Sequence, residues 1–564
     1  MPDYTYSKPA EITCGFFSFL FSNKPVTFAK FTSVKSAYAL LLCSLTFTAF
    51  AQRNIDVLHC KYNIGLTDIN DSVNGTAEIT VKFLDHSNSL NFDLISSNNE
   101  GKGMKARMVS GTQVKGFSHS GNKLRVFLLQ PFAAGDTITI AVQYSGIPAN
   151  GLIISKNQFG KRTFFGDNWP NRAHHWLPCV DDPADKASVE FIVTAPAHYQ
   201  VVANGIQVEE TSLPDNKKLT HWKEDVPLPT KVMVIGVADF AVTHAGDVNC
   251  IPVSSWVFPE NKTEGFYDYA TAKDVLAWHI KYIGPYAYKK LANVQSKTMF
   301  GGMENAGAIF YHEGSVTGSR LEEELQSHEI VHQWFGNHVT EKSFAHLWLS
   351  EGFATYLTHV YMESKYGADS LNKRMKADRE TILDFVKTSK RPVVDSSSDY
   401  MKLLSPNSYL KGSWVLHMLR RQLGDSVFHK SIRDYYAQYA GKNADTKDLQ
   451  TVFENNSGKN LDRFFEQWLQ RPYNPSLEIE WKYSEKKRSL SITVTQLQQR
   501  VFEFPLQVLF APSAGTSKPQ VKTLKVSKLK EAFIIPTGRK SFLLQNGIDP
   551  FTSLLCEYYL KEVK

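Results

Sequence analysis

Early and late in the chain, hydrophobic residues alternate with polar ones; in between, the period lengthens to that of a helix. Ile79, Val81 and Phe83 are spaced two apart, as are Ile138, Ile140, Val142 and Tyr144, and again Val189, Phe191 and Val193. Successive side chains of a strand point to opposite faces, so this period, broken by Gly and Asn turns, predicts half-buried strands. From about residue 260 to 470 the spacing shifts to three and four. It returns to two at Leu490, Ile492 and Val494 and at Leu506, Val508 and Phe510. The prolines of "RPYNPSLEIEW" (471–481) mark that second change. The predicted class is multidomain α+β. It comprises an N-terminal β-sheet domain over 52–250, a mostly helical domain over 251–475 and a C-terminal β-sandwich over 476–564.

The helical part holds the candidate chemistry. Ser319-Arg-Leu-Glu322 has the spacing of a capping box and predicts a helix running to about Gly336-Asn337. Leu321, Leu325, His328, His332 and Phe335 follow at intervals of four, three, four and three, which is one face of that helix and the face expected to be buried. An imidazole among apolar neighbours must bond to something. Here two of them, one turn apart, can point at one spot, with Glu329 about 100° round the helix and able to reach its edge. This is H-E-x-x-H, a pair of zinc ligands and a general base. Two core histidines bonded to carbonyls would give the same face, so a third ligand decides. "SFAHLWLSEGFATYLTHVY" (343–361) places Leu347, Glu351, Ala354 and Tyr361 on a second helical stripe, with a carboxylate on its buried face. An unpaired buried charge is costly, and a metal held by His328 and His332 would relieve it, as would a salt bridge to a distant arginine. Two His and one Glu leave a fourth position for water, as catalytic zinc requires, and no cysteine of the structural-zinc type lies near. One Zn2+ per chain is expected.

Composition narrows the picture further. The 564 residues are 42% hydrophobic and 21% charged, with no repeat, and the +7 net charge is thinly spread. No Lys/Arg block is dense enough for nucleic acid. Lys30 and Lys35 precede an apolar run that ends in Ala49-Phe50-Ala51, the form of a secretory signal peptide cleaved after Ala51. A membrane anchor is the alternative, but the run is slightly short for a span. An exported protein, periplasmic or secreted, with no stable membrane span is therefore expected. Cys60, Cys179, Cys250 and Cys556 lie beyond the run, too scattered for a disulfide scaffold; one bridge or four thiols are both open.

With its motifs in view, the chain resembles the M1 metallo-aminopeptidases, a gluzincin family. His328-Glu329-x-x-His332 is followed by Glu351 within "LSEGFATY" and preceded by "TMFGGMENAG" (298–307). "WFGNHVT" (334–340), "SYLKGSWVLHML" (408–419) and "HHWLPCVDDPADKA" (174–187) also resemble family segments, in the family's order. The resemblance implies a thermolysin-like catalytic domain and a zinc enzyme that removes the N-terminal residue from peptides. It implies that His328, His332 and Glu351 hold the metal, that Glu329 is the general base and that Tyr409 donates to the oxyanion. Glu304 would take the free α-ammonium, with Gly301, Gly302, Met303 and Asn305 beside the peptide. A second amine anchor would come from the first domain, from Asp167 or Asn168. Ser350 stands where family members commonly carry Asn. The large C-terminal helical domain of many members does not follow the predicted sandwich, so an open site, or one closed by another subunit, is expected. Partners would be peptides with a free N-terminus; the oligomeric state is open. A thermolysin-like endopeptidase is disfavoured by the amine-binding Glu304. A non-catalytic peptide-binding homologue is disfavoured by the full set His328, Glu329, His332, Glu351 and Tyr409.

Overall fold

The computed structural model describes residues 53–512 and 518–563, so the expected signal peptide lies outside the described residues. The N-terminal region is built on a seven-stranded sheet. Its order is Ile206–Leu213, Lys217–Pro229, Lys186–Pro196, Ile55–Gly65, Val73–Phe83, Thr137–Ile147 and Gly103–Ser110. Only Ile55–Gly65 and Lys186–Pro196 pair in parallel. The period-two residues face the core: Ile79, Val81, Phe83, Ile140, Val142, Val189, Phe191 and Val193 are all buried. A four-stranded sheet follows, and Asp167, Asn168 and Trp169 continue directly from its strand Arg162–Gly166.

The second region opens with a five-stranded sheet ordered Ala241–Val248, Ile251–Val257, Leu291–Ser296, Ala308–His312, Gly302–Met303. Residue 250 sits at the turn of its first hairpin. The two-residue strand Gly302–Met303 is an edge, antiparallel to Ala308–His312, which leaves one side of Gly301–Asn305 open to a cleft. Helices then take over, among them Glu323–His332, Trp348–Tyr366, Ala368–Thr388 and Gly412–Leu423. Two further sheets form the C-terminal β-sandwich. Leu490, Ile492 and Val494 lie buried in one, and Leu506, Val508 and Phe510 in the other.

The first helix differs from its expectation at both ends. Ser319 does not cap it. The N–H groups of Thr317, Gly318 and Arg320 instead donate to the Asp268 carboxylate at 2.6, 2.7 and 2.8 Å, and the helix begins at Glu323 with no side-chain cap. It ends at His332, where the chain turns tightly into Gly336. The expected buried stripe holds at its C-terminal end, where His332 and Phe335 are buried, and fails at its start. Leu321 is 75% exposed and Leu325 half-buried, while Ile330, Val331 and Trp334 on the other faces are buried. The histidine face looks into a cleft, and apolar packing holds the helix from behind.

Buried lysines join the first two regions. Lys186 Nζ donates to the carbonyls of Asn337, His338 and Lys442 at 3.2, 2.8 and 3.0 Å. Lys290 Nζ donates to those of Ala203 and Gly307 at 2.8 and 2.9 Å, over the ring of Trp222. Lys231 and Glu341 form a fully buried ion pair at 2.5 Å. Cys60, Cys179 and Cys556 are buried free thiols and Cys250 is an exposed one. Among the described residues no helix is long and apolar enough to cross a membrane.

Candidate metal and peptide site

His328 and His332 lie one turn apart, and the helix Trp348–Tyr366 packs across them, bringing in Glu351. The two Nε2 atoms stand 3.1 Å apart, and each is 3.3 Å from Glu351 Oε2. These three are the only such cluster of metal-binding groups among the described residues. Ligands about 2.0–2.1 Å from a tetrahedral zinc stand about 3.3–3.4 Å from one another, so the triangle has the size of one face of that tetrahedron. The tautomer agrees. His332 Nδ1 donates to the Phe335 carbonyl at 3.1 Å, with Ser350 Oγ at 3.0 Å, which turns the lone pair of Nε2 toward the other two ligands. The Ser350 hydroxyl thus helps to orient His332.

Electrostatics shows what the triad lacks. Burial works against the Glu351 carboxylate, yet the two imidazoles outweigh it and hold its pKa well below the usual range. Burial also works against a charged His332, but Glu351, Glu304 and Glu329 raise it to about 10. Burial lowers His328, although Glu351 at 3.3 Å works the other way. One cation is wanted among three carboxylates. The triad can hold one zinc ion per chain.

Glu329 lies beside this centre, fully enclosed, and burial pushes its carboxyl well above the ordinary range. Its position depends on Gly302: a Cβ there would lie 2.3 Å from Glu329 Oε1. A larger residue at that place would displace the Glu329 carboxylate. Further along, Glu304 is 6% exposed and its Oε1 has no hydrogen-bond partner. Its backbone is fixed to the histidine helix and the turn after it. The Glu304 carbonyl accepts from Gln333 Nε2 at 2.9 Å and Asn337 Nδ2 at 2.6 Å. Tyr409 closes the opposite side, its ring parallel to His328 with centroids 5.9 Å apart. Burial, then Glu351, Glu304 and Glu329, push its phenol well above 10, so it stays a donor.

A cavity of about 430 Å³ joins Gly301, Gly302, Met303, Glu304, His328, Glu329, His332, Glu351 and Tyr409, within the usual range for ligand sites. Asn305 is buried but does not line it. Nor do Asp167 and Asn168, and both have partners elsewhere. Asp167 pairs with Arg172 at 2.5 Å and accepts from Thr298 and the Met299 N–H. Asn168 donates to the carbonyls of Thr230 and Met233 and accepts from Trp176. They hold the segment in place, and the residue that reaches the cavity from it is their neighbour Trp169. Thr355, Thr358 and His359 also line the cavity. They stand four, seven and eight residues after Glu351, a helical spacing that was readable. Trp169 and Leu404 come from loops and carried no such signal.

Residues 54–232 match the peptidase M1 N-terminal domain and residues 267–468 the peptidase family M1 domain. The chain is 28% identical over 329 residues to probable aminopeptidase 2 of Sulfurisphaera tokodaii, covering 54% of this chain and 41% of that protein. It is 27% identical over 333 residues to aminopeptidase M1 of Arabidopsis thaliana, covering 56% and 37%. With glutamyl aminopeptidase of Bitis rhinoceros it shares 28% over 375 residues, 63% and 37%. The matched segment spans about two fifths of these relatives' length. Two family domains in their order, with the metal-binding triad assembled inside the second, place the chain in peptidase family M1.

Proposed function

We propose that the protein is a zinc-dependent aminopeptidase that removes the N-terminal residue from peptides outside the cytoplasm. The observation that carries the specificity is Glu304: its side chain lines the same cavity as the metal triad, and its carboxylate is buried with one oxygen lacking a partner. A substrate's α-ammonium supplies the missing partner, and a chain without a free amine cannot. Zinc held by His328, His332 and Glu351 supplies Lewis-acid polarisation of the scissile carbonyl and acidifies a water.

The chain's own groups do the rest. Glu329, which lines the cavity beside the triad, accepts the proton of the attacking water and passes it to the leaving amine. Tyr409 donates its hydroxyl proton to the developing oxyanion; such a donor typically contributes about 2.7–4 kcal/mol. The edge strand Gly302–Met303 offers backbone to an extended peptide. Names of similar proteins, among them probable aminopeptidase 2 and glutamyl aminopeptidase, support the reaction class. The test is a peptide pair differing only in N-terminal acetylation. Cleavage of the free peptide alone is the expected result; equal cleavage of both favours an endopeptidase.

A further inference from the structure

Tyr409 stands on an unusual piece of backbone. Residues Asn407–Lys411 form a single wide helical turn, in which the Lys411 N–H reaches the Pro406 carbonyl, five residues back, at 2.8 Å. Such turns are rare and need support from outside the helix. Here the support comes from side chains on both sides of the tyrosine. Asn407 donates to the Arg391 carbonyl at 2.7 Å, and Ser408 to the Leu403 carbonyl at 2.7 Å. Lys411 is fully buried, and its Nζ donates to the carbonyls of Arg471 and Tyr473 at 3.2 and 3.3 Å.

An ammonium buried against two carbonyls, with no ion pair among the described residues, is a costly way to fill space. Burial alone lowers its pKa to about 7. A methionine would fill the same volume without that cost. What the lysine adds is a tether. Arg471 is itself anchored, through Glu466 and the Val501 carbonyl, where the chain passes into the C-terminal sandwich. On the other flank Gly412 meets Gly352, the residue after Glu351. A Cβ on Gly412 would lie 3.0 Å from Gly352 Cα, so the turn is pressed against the metal-binding helix.

We propose that Lys411 is a positioning residue: by tying the turn 407–411 to the carbonyls of Arg471 and Tyr473, it sets the Tyr409 hydroxyl over the metal site and makes the junction with the C-terminal sandwich part of the catalytic framework. This rests on Tyr409 being the oxyanion donor. Lys411 touches neither substrate nor metal, so its effect runs through the rate and not through recognition.

The experiment is a double-mutant cycle on the full chain with Lys411→Met and Tyr409→Phe, reading kcat, KM and zinc content. Displacing a catalytic group by about an ångström costs about a hundredfold in rate. Lys411→Met is expected to lower kcat by about that much, with KM and zinc content unchanged, and to have little further effect once Tyr409 is Phe. An equal loss in both backgrounds overturns the proposal and leaves the role of Tyr409 standing. If Tyr409→Phe alone leaves kcat intact, the oxyanion assignment fails, and this inference with it. Should Lys411→Met not fold, Lys411→Gln, which keeps a shorter donor, enters the same cycle with a smaller loss in the same direction.

Discussion

Two of the places where this molecule buries carboxylates behave in opposite ways. Asp167 and its neighbour Asn168 are enclosed, and Arg172, Thr298, Trp176 and three backbone groups satisfy them. At the other place Glu351, Glu329 and Glu304 crowd around two imidazoles, and Glu304 Oε1 has no partner. The first arrangement is closed and holds two layers together. The second is short of partners for its carboxylates, and its triad can hold a metal. Burial of a polar residue therefore does not by itself mark a site; Glu304 stands out because its carboxylate, short of one partner, lines the same cavity as the metal triad.

That contrast can be tested by altering each place in turn. Glu329→Gln keeps the shape of the centre and removes only the base, so turnover should fall about 10²–10⁴-fold while zinc content stays the same. Near-normal turnover in zinc-loaded protein would remove Glu329 from the chemistry. Asp167→Ala leaves Arg172 buried without its partner and should cost about 3–5 kcal/mol of stability, measured by denaturant unfolding. Preference for free over acetylated peptides should survive; its loss would return Asp167 to the site. Glu304→Ala should reverse that pattern, lowering kcat/KM for free-amine peptides by about 2–5 kcal/mol with little change in stability. If its discrimination against acetylated peptides is unchanged, the amine is bound elsewhere.

A further effect concerns Lys290, one of the lysines that join the first two regions. Burial lowers the Lys290 ammonium to about 7, whereas in the unfolded chain it stays charged to about pH 10.4. The unfolded state therefore binds the extra proton between those limits. The penalty is full below about pH 7 and fades as pH rises towards 10. Over that window the wild type should gain stability relative to Lys290→Met; parallel stability–pH curves would show that the lysine titrates normally.

The metal ligands were legible because their chemistry is local. H-E-x-x-H fixes two nitrogens and the base on one helix, and Glu351 stood out as a charge on an apolar stripe. Strands were legible for the same reason, since Val189, Phe191 and Val193 obey a period of two that burial imposes directly. What failed was whatever depended on a distant partner. Ser319 and Glu322 had the spacing of a cap, but Asp268, some fifty residues earlier, captured the N–H groups of the preceding turn. The helix is held by apolar packing behind it, so the stripe through Leu321 and His328 marked its cleft face. Asp167 and Asn168 had the right chemistry for an amine anchor, and only the positions of Arg172, Thr230 and Met233 show that it is already engaged. The wide turn under Tyr409 has no sequence periodicity at all; its causes are carbonyls at 391, 403, 471 and 473.

The central claim is that a triangle of two nitrogens and one carboxylate oxygen is built for zinc and that turnover depends on it. Elemental analysis of purified, active protein, before and after chelation, tests this most directly. About one zinc per chain is predicted, lost together with activity and restored with it, while Glu351→Gln holds far less. Full activity in protein without stoichiometric metal would contradict it.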